Sequence, residues 1–126
     1  MLSPGRCLHI LILMKHTEIV AGIAADVCET LRLLGAKRAI LFGSYARGTQ
    51  DEKSDIDILI IDDRDEPYAE RIERYFRPLD KALLRPLEIL VYTSDELDRA
   101  ADRPFLRTVL REGIDLYEHR EATLRG

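Results

Sequence analysis

The chain has 126 residues, 46% of them hydrophobic and 33% charged, a length for one domain and a composition that excludes a disordered or fibrous protein. A formal net charge of −4 argues against a broadly basic face for nucleic acid and leaves only a local patch open. Two cysteines (Cys7, Cys28) and three histidines toward the termini (His9, His16, His119) exclude a disulfide framework and show no metal-ligand spacing; with no sign of an oxidising compartment, the expected location is the cytoplasm.

Residues 7–14 form an apolar run behind Arg6. It is too short to span a bilayer and lacks the basic start and cleavage site of a signal peptide. Residues 1–13 therefore read as an N-terminal extension, a packed strand or helix or a tail, with residues 14–126 as the single domain and Met14 as an alternative start. From Thr17 to Leu34 apolar residues recur at Ile19, Ile23, Val27, Leu31 and Leu34, which predicts a helix stopped by Gly35. Residues 38–42 read as a buried strand broken by Gly43-Ser44, and Tyr45-Ala46-Arg47 as the start of a short helix. Gly48 to Lys53 is turn-like.

Residues 55–61, Asp-Ile-Asp-Ile-Leu-Ile-Ile, give the strongest strand pattern in the chain. The acidic run Asp62, Asp63, Asp65, Glu66 is read as a solvated loop with no catalytic role. Pro67 suits a helix first turn. Tyr68, Ile72, Tyr75, Phe76, Leu79 and Leu83 form the stripe of the next helix, which Pro78 is expected to kink or divide. A third strand is expected over Pro86 to Tyr92. Thr93 and Glu96 have capping-box spacing for a helix after it. Pro104 to Glu112 reads as a last helix stopped by Gly113, and Ile114 to Tyr117 as an edge strand. The order predicts an α/β (α+β) fold with one small mixed sheet flanked by helices.

The chemistry concentrates between Gly43 and Asp57. On a strand, residues i and i+2 point to one face, so Asp55 and Asp57 would set two carboxylates about 6.5–7 Å apart at the backbone. Such crowding raises proton affinity unless a cation compensates, and oxygen-only ligation suits Mg²⁺ or Mn²⁺ shared with substrate phosphates. At Gly43-Ser44 a strand ends and a helix begins, so backbone N–H groups and the Ser44 hydroxyl can receive an anion, with Arg47 one turn on adding charge. Glu88, a lone acid in an apolar strand where unpaired burial would be costly, is the candidate third carboxylate of a two-metal site.

Gly-Ser, ten residues, then Asp-x-Asp resembles the signature of the nucleotidyltransferase superfamily that includes DNA polymerase β. The stretch Gly-Ser-Tyr-Ala-Arg-Gly through Ser54-Asp55-Ile56-Asp57, the strand around Glu88 and the segment Arg111–Glu118 are similar to the minimal nucleotidyltransferase (MNT) family, over about residues 16–118. The resemblance implies a polymerase-β-like palm and two Mg²⁺ ions on Asp55, Asp57 and Glu88, where the family more often has Asp for the third acid. It implies ATP held through Gly43, Ser44 and Arg47, and transfer of AMP to a tyrosine of a HEPN-type toxin for which the MNT protein is antitoxin. The alternatives are an antitoxin that works mainly by docking and a small-molecule adenylyltransferase. Negative charge and short length argue against a templated polymerase.

Overall fold

The structure, a computed structural model, describes residues 4–119, with side chains from Lys15 onward. The chain runs α1 (Pro4–Leu34), β1 (Arg38–Phe42), α2 (Gly43–Arg47), β2 (Ile56–Ile61), α3 (Tyr68–Leu83), β3 (Leu87–Tyr92), α4 (Ser94–Ala100), α5 (Pro104–Glu112) and β4 (Ile114–Glu118). The strands form one sheet in the order β3-β2-β1-β4. β1 lies antiparallel to both β2 and β4, whereas β2 and β3 are parallel and joined through α3. The sheet is therefore mixed, as the element order predicts.

Alternation along the strands divides the core in two. Ala39, Leu41, Ile56, Ile58, Ile60, Ile89 and Val91 face α1 and α3, where Ile23, Val27, Leu31, Tyr75 and Leu79 are buried with them. Ile40, Leu59 and Ile61 face the other way and pack with Leu97 and Ala100 of α4 and Leu106 and Val109 of α5. β2 is buried along its length except at Asp57, which shares the second face with Leu59 and Ile61. α4 carries the expected capping box: Glu96 N–H donates to Thr93 Oγ1 at 3.1 Å and Thr93 N–H to Glu96 Oε1 at 2.8 Å.

Three expectations change. The first helix begins at Pro4 rather than near Thr17, so the backbone of residues 4–13 continues α1; residues 1–3 lie outside the described residues. Pro78 does not divide α3, which is one element from Tyr68 to Leu83. A proline within a helix costs about 3 kcal/mol, and burial of Tyr75, Leu79 and Leu83 on the core side offsets it. The acidic run after β2 is not simply a solvated loop. Asp62 is 1% exposed, accepts from Tyr75 Oη at 2.5 Å and Arg64 N–H at 3.0 Å, and lies 3.7 Å from Arg74 Nη1. Asp63 bridges Lys37 and Ser94, and Glu66 pairs with Arg74. These carboxylates tie the exit of β2 to α3, to α4 and to the loop before β1. A buried acid needs such partners, and a charge run in the sequence does not reveal which member will turn inward.

Candidate active site

The site forms where β1 and β2 meet the α2 turn. In the register, Phe42 pairs with Asp57 across the antiparallel ladder and Asp57 pairs with Glu88 across the parallel one. Paired residues point to the same side of a sheet, so Phe42, Asp57 and Glu88 share the face covered farther along by α4 and α5. Asp55 stands one residue before β2 begins and is exposed. The adjoining Ile56 N–H donates to the Pro86 carbonyl at 2.8 Å, which fixes the entry of β2 beside β3.

Gly43 has φ +74°, and a Cβ there would overlap Asp57 Oδ2. The position therefore demands glycine twice, for its left-handed backbone and for the close approach of the carboxylate. α2 starts there, and its N-cap Phe42 provides no side-chain hydrogen bond to its first turn. Ser44 is half-buried, and its carbonyl accepts from the N–H of Gly48, which closes the turn with φ +76°. Ser44 also receives Thr49 N–H at 3.0 Å.

The ten residues between the two motif halves are held by their own bonds. Asp51 Oδ1 accepts from Lys53 N–H at 2.8 Å and from Ser54 Oγ at 3.2 Å, and Asp51 N–H donates to Ser54 Oγ at 2.9 Å. This local turn leads the chain from α2 back into β2, where Asp57 comes against Gly43. From outside the motif, His16 Nε2 hydrogen-bonds the Tyr45 carbonyl at 2.9 Å and its ring lies near Gly48. α1 thus braces the turn, a role that no spacing in the sequence signals.

Electrostatics single out Asp57. Burial pushes its carboxyl up to about 6, helped by repulsion from and contact with Glu88 and by the charge of Asp55; Arg47 partly opposes this. Glu88 is exposed, contrary to the expectation of an acid buried in an apolar strand, because β3 is an edge strand and Glu88 stands at its open end. Arg47 is also exposed and lies 3.9 Å from Glu112 Oε2, so it links α2 to α5 while remaining near Asp57. The structure thus brings Gly43, Asp57 and Glu88 into direct proximity, with Ser44 and Arg47 on the adjoining helix and Asp55 at the strand entry.

Among the described residues, no three Asp, Glu, His or Cys side chains form a group able to hold a metal ion by themselves. The donor set is all carboxylate oxygen, and Arg47 offsets its charge only in part. That fits a hard divalent ion completing its shell with water and substrate phosphates, as Mg²⁺ commonly does. A cavity of about 530 Å³ lined by Ile19, Tyr45, Gln50, Arg85 and Pro86 lies by the loop between the motif halves; neither Asp57 nor Glu88 lines it. No helix among the described residues is long and apolar enough to cross a membrane.

Comparison with known proteins agrees with this geometry. Residues 22–116 match the family model described as a nucleotidyltransferase domain. Two proteins of Methanocaldococcus jannaschii bearing the name "Putative protein adenylyltransferase" are similar. One is 39% identical over 84 residues, covering 64% of this chain and 78% of the relative. The other is 34% identical over 83 residues, covering 65% and 81%. A toxin–antitoxin crystallised with AMP-PNP superposes with a TM-score of 0.59 at 25% identity, over 77% of this chain and 74% of that one. A "putative nucleotidyltransferase" from Sulfolobus solfataricus shares the fold, with a TM-score of 0.57 at 18% identity over 87% and 89% of the two chains. With its domain matched across both halves of the Gly-Ser and Asp-x-Asp motif and into β4, the chain belongs to the nucleotidyltransferase family and is an enzyme of nucleotidyl transfer.

Proposed function

We propose that this enzyme transfers AMP from ATP to a tyrosine hydroxyl of a HEPN-type toxin and thereby acts as its antitoxin, in the cytoplasm. The observation that carries the reading is the register Phe42–Asp57–Glu88, with Gly43 packed against Asp57. It sets the Gly43–Ser44 turn beside crowded carboxylates at an open edge of the sheet, which supports reading that turn as the phosphate site. The relatives named for protein adenylylation and the toxin–antitoxin with the same fold support a macromolecular acceptor.

In this reading the N–H groups at the start of α2 and the Ser44 hydroxyl hold the terminal phosphates, and Arg47 adds positive charge beside them. Asp55, Asp57 and Glu88 would hold two Mg²⁺ ions, or Mn²⁺, which when bound neutralise charge on the attacking and leaving oxygens. Gly43 lets the Asp57 carboxylate approach the phosphates closely. Glu88, exposed at the sheet edge, is placed to orient an incoming hydroxyl and take its proton as the oxygen bonds to the α-phosphorus and pyrophosphate leaves. A folded partner presenting a tyrosine fits the open edge of the sheet. The bulky anion left on that tyrosine would repel RNA phosphates from the toxin.

The test is intact-mass spectrometry of the toxin co-expressed with this chain. Wild type is expected to add one or more AMP units and Asp55→Asn none. Equal neutralisation of an unmodified toxin by Asp55→Asn would replace this reading with one of docking alone.

A further inference from the structure

α5 lies across the sheet face that carries the carboxylates. Leu106 and Val109 anchor it in the core, and Phe105, beside Leu106, is left 52% exposed. Isolated exposed apolar residues are ordinary on protein surfaces, so exposure alone says nothing. The placement of Phe105 is what sets it apart. Its ring stands edge-on to Phe42, with centroids 5.8 Å apart and planes at 84°. Phe42 is the residue before Gly43 and the ladder partner of Asp57. Ladder partners stand about 4.5–5.5 Å apart at Cα, so Phe105 presents an aromatic surface beside the residue that pairs with Asp57. The T-shaped contact sets the orientation of the ring, and the exposed Arg47–Glu112 pair links α5 to α2.

We propose that Phe105, oriented by Phe42, is the surface on which the nucleobase of the bound nucleotide stacks. This rests on the reading of Gly43, Ser44 and the carboxylates as the triphosphate site. With the triphosphate at the α2 turn, a base lying toward α5 would meet the half-exposed Phe105 ring. Stacking uses the face of the base rather than its hydrogen-bonding edge, so it supplies affinity with little choice between adenine and guanine. Phe105 is thus a positioning residue that acts through the base and takes no part in the transfer chemistry.

The chain contains no tryptophan, so Phe105→Trp introduces a single tryptophan at the proposed contact, which can be excited apart from the tyrosines. Its emission is expected to change on addition of ATP with Mg²⁺ and to stay constant on addition of tripolyphosphate, which has no base. Phe105→Leu keeps apolar contact with Phe42 and removes the π-face. By calorimetry it is expected to bind ATP roughly 5- to 150-fold more weakly, the range for loss of one base–aromatic stack, with tripolyphosphate affinity unchanged and melting temperature lowered by at most a few degrees through loss of the edge-on ring contact. KM for ATP should rise while kcat at saturation holds. Unchanged ATP affinity in Phe105→Leu would overturn the inference, as would equal losses for ATP and tripolyphosphate, which would mean that Phe105 only holds α5 in place. Failure of the wild-type chain to bind either ligand would overturn the triphosphate site itself and this inference with it.

Discussion

At the scale of single residues, Asp57 carries opposed demands. The burial and like charge that push its carboxyl up to about 6 make it a strained group in the free protein and a strong partner for a cation. Asp57→Asn removes that repulsion. It is expected to leave melting unchanged or raise it by a few degrees, since about 1 kcal/mol shifts a domain of this size by about 4–8 °C. The same change is expected to lower ATP-dependent transfer by about 10²-fold or more, the usual cost of losing an electrostatic contact made to the transition state. Transfer above about a tenth of the wild-type rate would count against the two-metal assignment. Gly43→Ala should behave differently. A Cβ at φ +74° meets Asp57 Oδ2, so stability is expected to fall by about 1–2 kcal/mol from the left-handed backbone alone. Displacement of the carboxylate is expected to cost about 10²-fold in transfer rate. Thermal melting and a labelled-ATP assay on the same preparation separate the two mutants by the sign of the stability change.

At the scale of elements, α3 and α4 are fastened by ion pairs whose titration is measurable. Arg71 Nη1 donates to Glu96 Oε1 at 2.5 Å and to the Val91 carbonyl at 3.2 Å, and Glu96 also closes the α4 capping box. The Arg71 guanidinium first, and the Thr93 N–H second, hold Glu96 down to about 2 from an ordinary 4.5. Lys37, then the Ser94 N–H, hold Asp63 down to about 2 from 3.8. Acids depressed in the folded state contribute stability above their unfolded values and lose it as pH falls through the folded ones. Acid destabilisation is therefore expected between about pH 4.5 and 2. Glu96→Gln should lower stability at pH 7 and flatten the fall in melting temperature between pH 5 and 3; a mutant curve parallel to wild type would exclude Glu96 as a source of that slope. Thr93→Ala, losing only the cap, is expected to cost about 1 kcal/mol at any pH in that range.

At the scale of the whole molecule, the mixed sheet serves two faces. One packs on α1 and α3 and supplies most of the buried surface; the other is covered by α4 and α5 and stays open at the carboxylates. α1 contributes Ile23, Val27 and Leu31 to the core and, through His16, the brace on the α2 turn. A chain starting at Met14 keeps all of these. It is expected to match the full chain in melting temperature and in nucleotide affinity. A large loss of stability on truncation would show that residues 1–13 belong to the core.

Periodicity and punctuation determined most of the elements, because strand alternation, helical stripes, glycine stops and the Thr93–Glu96 box are local in origin. The approach of Gly43 to Asp57 was legible too, since a glycine at the end of one short strand and an acid in the next meet when the two strands pair. Tertiary structure alone decided what depends on partners distant in the chain. Asp62 turns inward because Tyr75 and Arg74 meet it there, while Glu88 stays exposed because β3 lies at the sheet edge. His16 reaches Tyr45 because α1 packs across the sheet, and Phe105 lies beside Phe42 because α5 folds back over the carboxylate face. None of these contacts leaves a periodic trace in the sequence, since each joins residues whose spacing is set by the packing of whole elements.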